Sequence, residues 1–316
     1  MKMRAWLRQA RIFACTQYAI ITPMATLYTH KDANIRKTWL LMTLFLVLII
    51  GLGWFFSYYY GNPNILYAFT AFSIAMNIIA YWFSDKIVVG LAGAHPVAKS
   101  QFPDLYNIVE NLSITAGLPM PKLYVIDDPS PNAFATGRDP KHAVVAVTTG
   151  LLQIMERKEL EGVLAHELSH VGNRDMLVST VVVVLAGLVS IIADMFLRAQ
   201  FRRSNDREGN GIAMIIGIIA MILAPLFATL IQLAISRKRE YLADASGALL
   251  TRYPEGLASA LRKIQQYGQP MQRQSSAIAH LYLANPKGSG KFAQKIGTLF
   301  ATHPPIDDRI KALLGH

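Results

Sequence analysis

Between Thr38 and Ser84 no side chain carries a formal charge. A helix needs roughly 20 apolar residues to cross the hydrocarbon core of a bilayer. Gly61-Asn62-Pro63-Asn64 divides the uncharged run into two segments of about that length. Trp39, the cluster from Trp54 to Tyr60, Tyr67, Tyr81 and Trp82 fall near the segment ends. Amphipathic rings anchor there, at the boundary between lipid and water. We therefore read residues 38–84 as two transmembrane helices. A pair of buried core helices is the competing reading, but a soluble core seldom needs such lengths uninterrupted.

Two further apolar runs, Met176–Ala193 and Gly209–Ser236, are also uncharged, with Pro225 expected to kink the second. Residues 176–236 either span the membrane as helices three and four or pack as a hairpin on the catalytic part. Span length favours the first reading. Against it, a four-span path places Arg198, Arg202, Arg203 and Arg207 on the outer side. Composition agrees with a membrane protein: 53% of residues are hydrophobic and only 16% charged, against roughly a quarter charged in soluble domains. Such a chain is too apolar to be disordered. A single cysteine, Cys15, excludes an internal disulfide framework and a cysteine-rich zinc finger.

The net charge of +11 is concentrated near the spans. Residues 1–37 hold Lys2, Arg4, Arg8, Arg11, Lys31, Arg36 and Lys37 against one acid, Asp32, whereas the loop at residues 61–64 holds none. The positive-inside rule then puts the N-terminus, and the region after Ser84, in the cytoplasm. Residues 1–37 form a basic N-terminal extension, and we favour an unstructured stretch for residues 1–33 over an amphipathic surface helix or a targeting segment at Met1–Arg11. The basic residues flank spans with no stacking motif between them, so the expected partner is the lipid bilayer and no nucleic acid is expected.

Residues 85–175 have a soluble pattern. Pro103–Ala116 is expected to be helical, Lys122–Ile126 and His142–Val147 to be strands, and Lys158–Val171 to be a helix. After the last apolar run, Arg237–Ala248 and Pro254–Gln266 again look helical, and Gly288-Ser-Gly290 reads as a loop. The fold class is mainly α with a small β-sheet.

The helix expected at 158–171 contains His166-Glu167-Leu-Ser-His170. At 3.6 residues per turn the two imidazoles project from one face, one turn apart, and can reach one ion. Glu167 is rotated off that axis, where it can act on a water. The bland reading is two satisfied histidines on an amphipathic helix. Catalytic zinc takes three protein ligands and leaves a fourth position open, so a third ligand is needed elsewhere. Glu240 and Asp244 lie four apart on an expected helix and share a face. One carboxylate can bind the ion while the other fixes an imidazole tautomer. The alternative is an ordinary charged surface beside Arg237, Lys238 and Arg239.

His166-Glu-x-x-His170, Glu240-Tyr-Leu-Ala-Asp244, Asn132-Ala133-Phe134-Ala135-Thr-Gly137 and Thr302-His303-Pro-Pro305 with Arg309 occur here in one order. Together they resemble the M48 family of integral-membrane gluzincin metallopeptidases, in its HtpX-like branch, whose relatives include prenyl-protein peptidases. The resemblance covers about residues 34–316 and leaves residues 1–33 unexplained. It implies one zinc per subunit held by His166, His170 and Glu240, with Glu167 as general base and Asp244 orienting an imidazole. The family motif makes His303 the candidate oxyanion donor, with a loop-capping histidine as the alternative. Asn132–Thr136 is expected to form or flank an edge strand beside the active-site helix, where Asn132, Ala133, Phe134 and Ala135 would bind extended substrate; the alternative is an ordinary loop after a strand. Arg309 is expected to be an ion-pair partner. The catalytic part would then comprise residues 85–175 and 237–316, facing the cytoplasm from the plasma (inner) membrane. The substrates would be membrane proteins or peptides. The implied activity is zinc-dependent endopeptidase action on misfolded or damaged membrane proteins. The alternatives are a prenyl-protein-processing peptidase or a catalytically silent membrane scaffold. Nothing in the sequence sets the oligomeric state.

Overall fold

The computed structural model describes residues 2–185, 187, 237–272, 278–284 and 304–315. The run Gly209–Ser236, the later part of Met176–Ala193, Gly288-Ser-Gly290 and His303 lie outside the described residues.

Helix α1 (Lys2–Tyr60) is continuous, so the basic stretch expected to be unstructured is helical instead. It has no proline or glycine break near Asp32–Lys37 that would separate it from the apolar run it precedes. Gly61, with φ 65°, turns the chain. Asn62 caps α2 (Pro63–Trp82), its side chain accepting a hydrogen bond from the Asn64 amide, and Pro63 opens the helix where no N–H donor is needed. Lys31–Tyr60 and Pro63–Trp82 are each long and apolar enough to cross a membrane. Their outer faces leave Leu40, Val47, Trp54 and Tyr58 exposed. That display suits lipid and would be costly in water. Their inner faces meet around Phe45, Ile49 and Phe56, joined by Leu177, Val181 and Leu185 of a further helix, α7 (Asp175–Leu185). In α7 the consecutive residues Val181–Leu185 are all buried, while Ser179 is half-buried, so the described part of the third apolar run is mostly covered.

A short helix, α3 (Ser84–Ala92), follows α2; no sequence pattern had marked it. Then follow β1 (His95–Pro96), α4 (Pro103–Ala116), β2 (Lys122–Ile126), β3 (Ala133–Thr136), β4 (Val144–Thr148), α5 (Thr149–Ile154) and α6 (Arg157–Gly172). The strand expected at His142 starts two residues later. The Asp139 side chain accepts from the Lys141 and His142 amides and winds Pro140–His142 into a 3-10 turn. The sheet order is β1-β2-β4-β3, with β2 and β4 parallel and the outer pairs antiparallel. β3 is therefore an edge strand, and α6 packs beside it.

The remaining helices are α8 (Arg237–Thr251), α9 (Pro254–Tyr267) and α10 (Ile306–Leu314). In α9, Leu257, Leu261 and Ile264 recur at helical spacing and are buried, and left-handed Gly268 ends the helix. Val109, Val147, Leu151, Val163, Leu164, Leu257 and Leu261 share one core between sheet and helices. Where α6 meets α8 the backbones nearly touch. A Cβ on Gly247 would lie 2.9 Å from the His166 backbone nitrogen.

Candidate active site

Helix α6 carries both histidines and is anchored at its start by Glu159, whose carboxylate accepts from the Glu156 amide at 2.8 Å. Gly247 lets α8 approach closely enough for Glu240 to face them. The Nε2 atoms of His166 and His170 are 3.2 Å apart. The Glu240 carboxylate lies 3.8 Å from the first and 3.6 Å from the second. Donors bound at about 2.0–2.2 Å to one tetrahedral ion are separated by roughly 3.3–3.6 Å. The three groups thus fit a single small cation, and they are the group among the described residues whose ligand atoms all lie within 4.8 Å of one another.

The other nitrogen of each ring is held by a carboxylate. His166 Nδ1 donates to Asp244 at 2.9 Å, and His170 Nδ1 donates to Asp175 at 3.2 Å. Both tautomers are therefore fixed with Nε2 toward the shared point. Arg309 is wholly buried and grips Asp244 with two hydrogen bonds, from Nε at 2.8 Å and from Nη2 at 2.7 Å. Its Nη1 is 3.8 Å from Glu240. Arg309 is the ion-pair partner expected of it, and its partner is the carboxylate that orients His166.

The electrostatics follow from burial and from these partners. Burial alone would raise the Asp244 pKa, but Arg309 and His166 bring it down to about 2. Burial raises Glu167 to about 7; the neighbouring Glu240 adds to this, while His170, Arg309 and the Ala135 amide oppose it. A carboxyl held near neutrality can both take and return a proton. Burial would lower His170, yet Asp175, Glu240 and Glu167 outweigh it and lift it to about 9, so the pocket favours a positive charge at that point. Burial keeps His166 below its ordinary value.

Of the expected edge-strand residues, Ala133, Phe134 and Ala135 form β3, and the Ala135 amide reaches Glu167. Asn132 precedes the strand. Its buried side chain accepts from the Ala284 amide at 3.1 Å and donates to the Ala284 carbonyl at 3.0 Å, so it clamps that segment. The Ala133 carbonyl accepts from Leu283 at 2.9 Å. His303 is outside the described residues, so no position is assigned to it. The sequence reading missed Asp175. Its signal was a carboxylate opening a new helix directly after the break at Gly172–Arg174, where the chain turns back under His170.

Two helix-borne imidazoles, a glutamate from a second helix and a buried carboxyl beside them have the residue types and spacing that a metallopeptidase centre requires. The sequence model of Peptidase family M48 matches residues 99–316. The Protease HtpX homolog of Caldanaerobacter subterraneus subsp. tengcongensis is 48% identical over 297 residues, covering 91% of this chain and 97% of its own length. That of Pyrococcus furiosus is 44% identical over 279 residues, covering 88% and 94%. The crystal structure of Ste24p from S. mikatae aligns over 92% of this chain and 67% of its own, with a TM-score of 0.49 and 17% identity. The chain belongs to peptidase family M48 and is a metalloprotease.

Proposed function

We propose that the chain is a zinc-dependent endopeptidase of the plasma (inner) membrane that cuts misfolded or damaged membrane proteins at its cytoplasmic face. The observation that carries this is the convergence of His166 Nε2, His170 Nε2 and the Glu240 carboxylate, each within 3.8 Å of the others. Two nitrogens and one carboxylate suit zinc, and three protein ligands leave a position for a reacting group. One zinc per subunit would supply Lewis acidity toward an attacking water and the scissile carbonyl.

The chain's own groups do the rest. Glu167 takes the proton from the attacking water and returns it to the leaving amine, a task matched to its raised pKa. Asp244 and Asp175 keep both imidazoles in register. An extended substrate pairs its main chain with β3 around Ala135, which gives affinity with little demand on side chains. That breadth suits quality control better than a single prenylated client. His303 is the proposed donor to the oxyanion. The complete ligand set with its base speaks against a silent scaffold.

For location, the support is the pair of span-length helices and the basic residues Arg36 and Lys37 at one end of the first. The same proposal takes the third and fourth apolar runs as spans too, on their length. The test is metal analysis together with casein digestion by detergent-purified protein. One zinc per chain is expected, with digestion abolished by a chelator and by Glu167→Gln. A chain that digests casein equally well with and without chelator overturns the reading.

A further inference from the structure

Asp175 sits at a junction of three elements. Its Oδ2 holds His170 Nδ1 of α6. Its Oδ1 takes a 2.6 Å hydrogen bond from Asn34 Nδ2, on the membrane helix α1 and 141 residues away in sequence. The same Oδ1 is 3.4 Å from Arg239 Nε on α8, one residue before Glu240. Asn34 also donates from Nδ2 to the Asn173 carbonyl at 3.0 Å, just past the end of α6. Asn34, Asp175 and Arg239 are all buried, with 3%, 3% and 7% exposure, so water cannot substitute for a missing partner.

We propose that Asn34 is a positioning residue of the metal centre, which makes the first membrane helix a structural part of that centre. The reasoning rests on the zinc assignment above. A carboxylate that orients a ligand imidazole must itself be oriented. Asp175 has two lone-pair-bearing oxygens and three donors around them, and the shortest of its contacts comes from Asn34. Without that amide the carboxylate keeps only the longer approach of Arg239 on Oδ1. It then swings toward the guanidinium and away from His170 Nδ1. The imidazole loses its brace, and Nε2 is no longer held at the shared point.

Arg174 adds a local reason why outside help is required. With φ 59° it occupies the left-handed region, which is unfavourable for a residue with a Cβ. The reversal it makes brings Asp175 back beneath His170. Asn34 bonds on both sides of that residue, to Asn173 and to Asp175, and so holds the reversal closed.

The test uses the full chain in detergent, with zinc ion as the probe in competition with a chromophoric chelator. Asn34→Ala should weaken zinc binding about tenfold, the lower end of the range for outer-shell partners of a ligand imidazole. Asn34→Ser, too short to reach Asp175, is the second variant and should behave alike. Each is also made in an Asp175→Ala background, where Asn34 keeps its bond to the Asn173 carbonyl but has no carboxylate left to orient, and so should add no further loss of zinc affinity. Unfolding midpoints in chelator report purely structural damage separately. If the parent binds one zinc and Asn34→Ala binds it equally tightly, the proposal is overturned while the zinc assignment stands. A loss that adds fully to that of Asp175→Ala overturns it as well, since Asn34 would then act only by cementing α1 to the body. A parent that binds no zinc defeats the underlying assignment too.

Discussion

Arg309 and Asp244 are joined by two hydrogen bonds of 2.8 and 2.7 Å in a place where the guanidinium has no exposed surface. Breaking one side of such a pair leaves an uncompensated buried charge, which typically costs about 3–5 kcal/mol. Arg309→Ala should therefore lower the thermal midpoint sharply and release zinc, through Asp244 and His166. Arg309→Lys should recover little, because a single ammonium cannot reproduce the two-pronged contact. Calorimetry in detergent beside zinc analysis reads both effects. Full recovery by lysine would show that charge alone matters.

Glu240 and Glu167 should part company on conversion to glutamine. Glu240→Gln removes the anionic donor of the cluster, so zinc affinity should fall markedly. Glu167→Gln keeps the cavity shape but cannot accept a proton, so zinc should stay while turnover falls by orders of magnitude. Zinc content after dialysis against a weak chelator, measured with peptide cleavage, separates them. The reverse pattern would exchange the two assignments.

Gly247 sets the distance between the helices that carry the ligands. A Cβ there would meet the His166 backbone nitrogen at 2.9 Å and would have to push α8 outward. Gly247→Ala should weaken zinc binding without altering any ligand, whereas Gly90→Ala, with nothing within 4 Å, should leave it unchanged. Equal zinc affinity in both variants would mean that the helices accommodate the methyl group.

Topology is open to labelling. Lys141 is exposed, in the 3-10 turn ahead of β4. With Cys15 replaced, a cysteine at Lys141 should resist an impermeant thiol reagent in intact cells and react once they are permeabilised. Reaction in intact cells would reverse the orientation drawn from Arg36 and Lys37.

Glu159 gives stability a pH dependence away from the metal. Burial would raise its pKa, but hydrogen bonds from Lys263 and Ser259, both at 2.6 Å, bring it below the ordinary 4.5. A depressed folded-state value contributes stability that is present above the unfolded value and is lost as pH falls through the folded one. The parent should exceed Glu159→Gln in thermal midpoint at about pH 7, and the gap should shrink toward about pH 3. A gap that does not change with pH would assign it to packing.

How much of this was legible in the sequence depended on the range of each signal. His166, His170 and Glu167 follow from a helical repeat, and Glu240 with Asp244 from another, because four-residue spacing fixes a shared face whatever the fold. The loop at Gly61–Asn64 carried its own turn chemistry. The contact of Asn34 had no local signature: only folding brings it to Asp175 across 141 residues. Asn132 was expected to form or flank the strand and does flank it, but its clamp on a distant segment had no local signature either. Its partner, Ala284, lies 152 positions downstream. The helicity of the basic stretch before Thr38 was also underestimated, since charge pattern reports on solvent contact more than on backbone conformation.

The candidate site draws on Asn34 of α1 and on Arg309 of α10, which lie in the sequence on either side of the helix that carries the two histidines. No contiguous stretch of the chain holds all the side chains that brace the three clustered donors. Under the proposed function, zinc binding would therefore report on whether α1, α6, α8 and α10 have all come together, and not on the helical repeat around His166 alone.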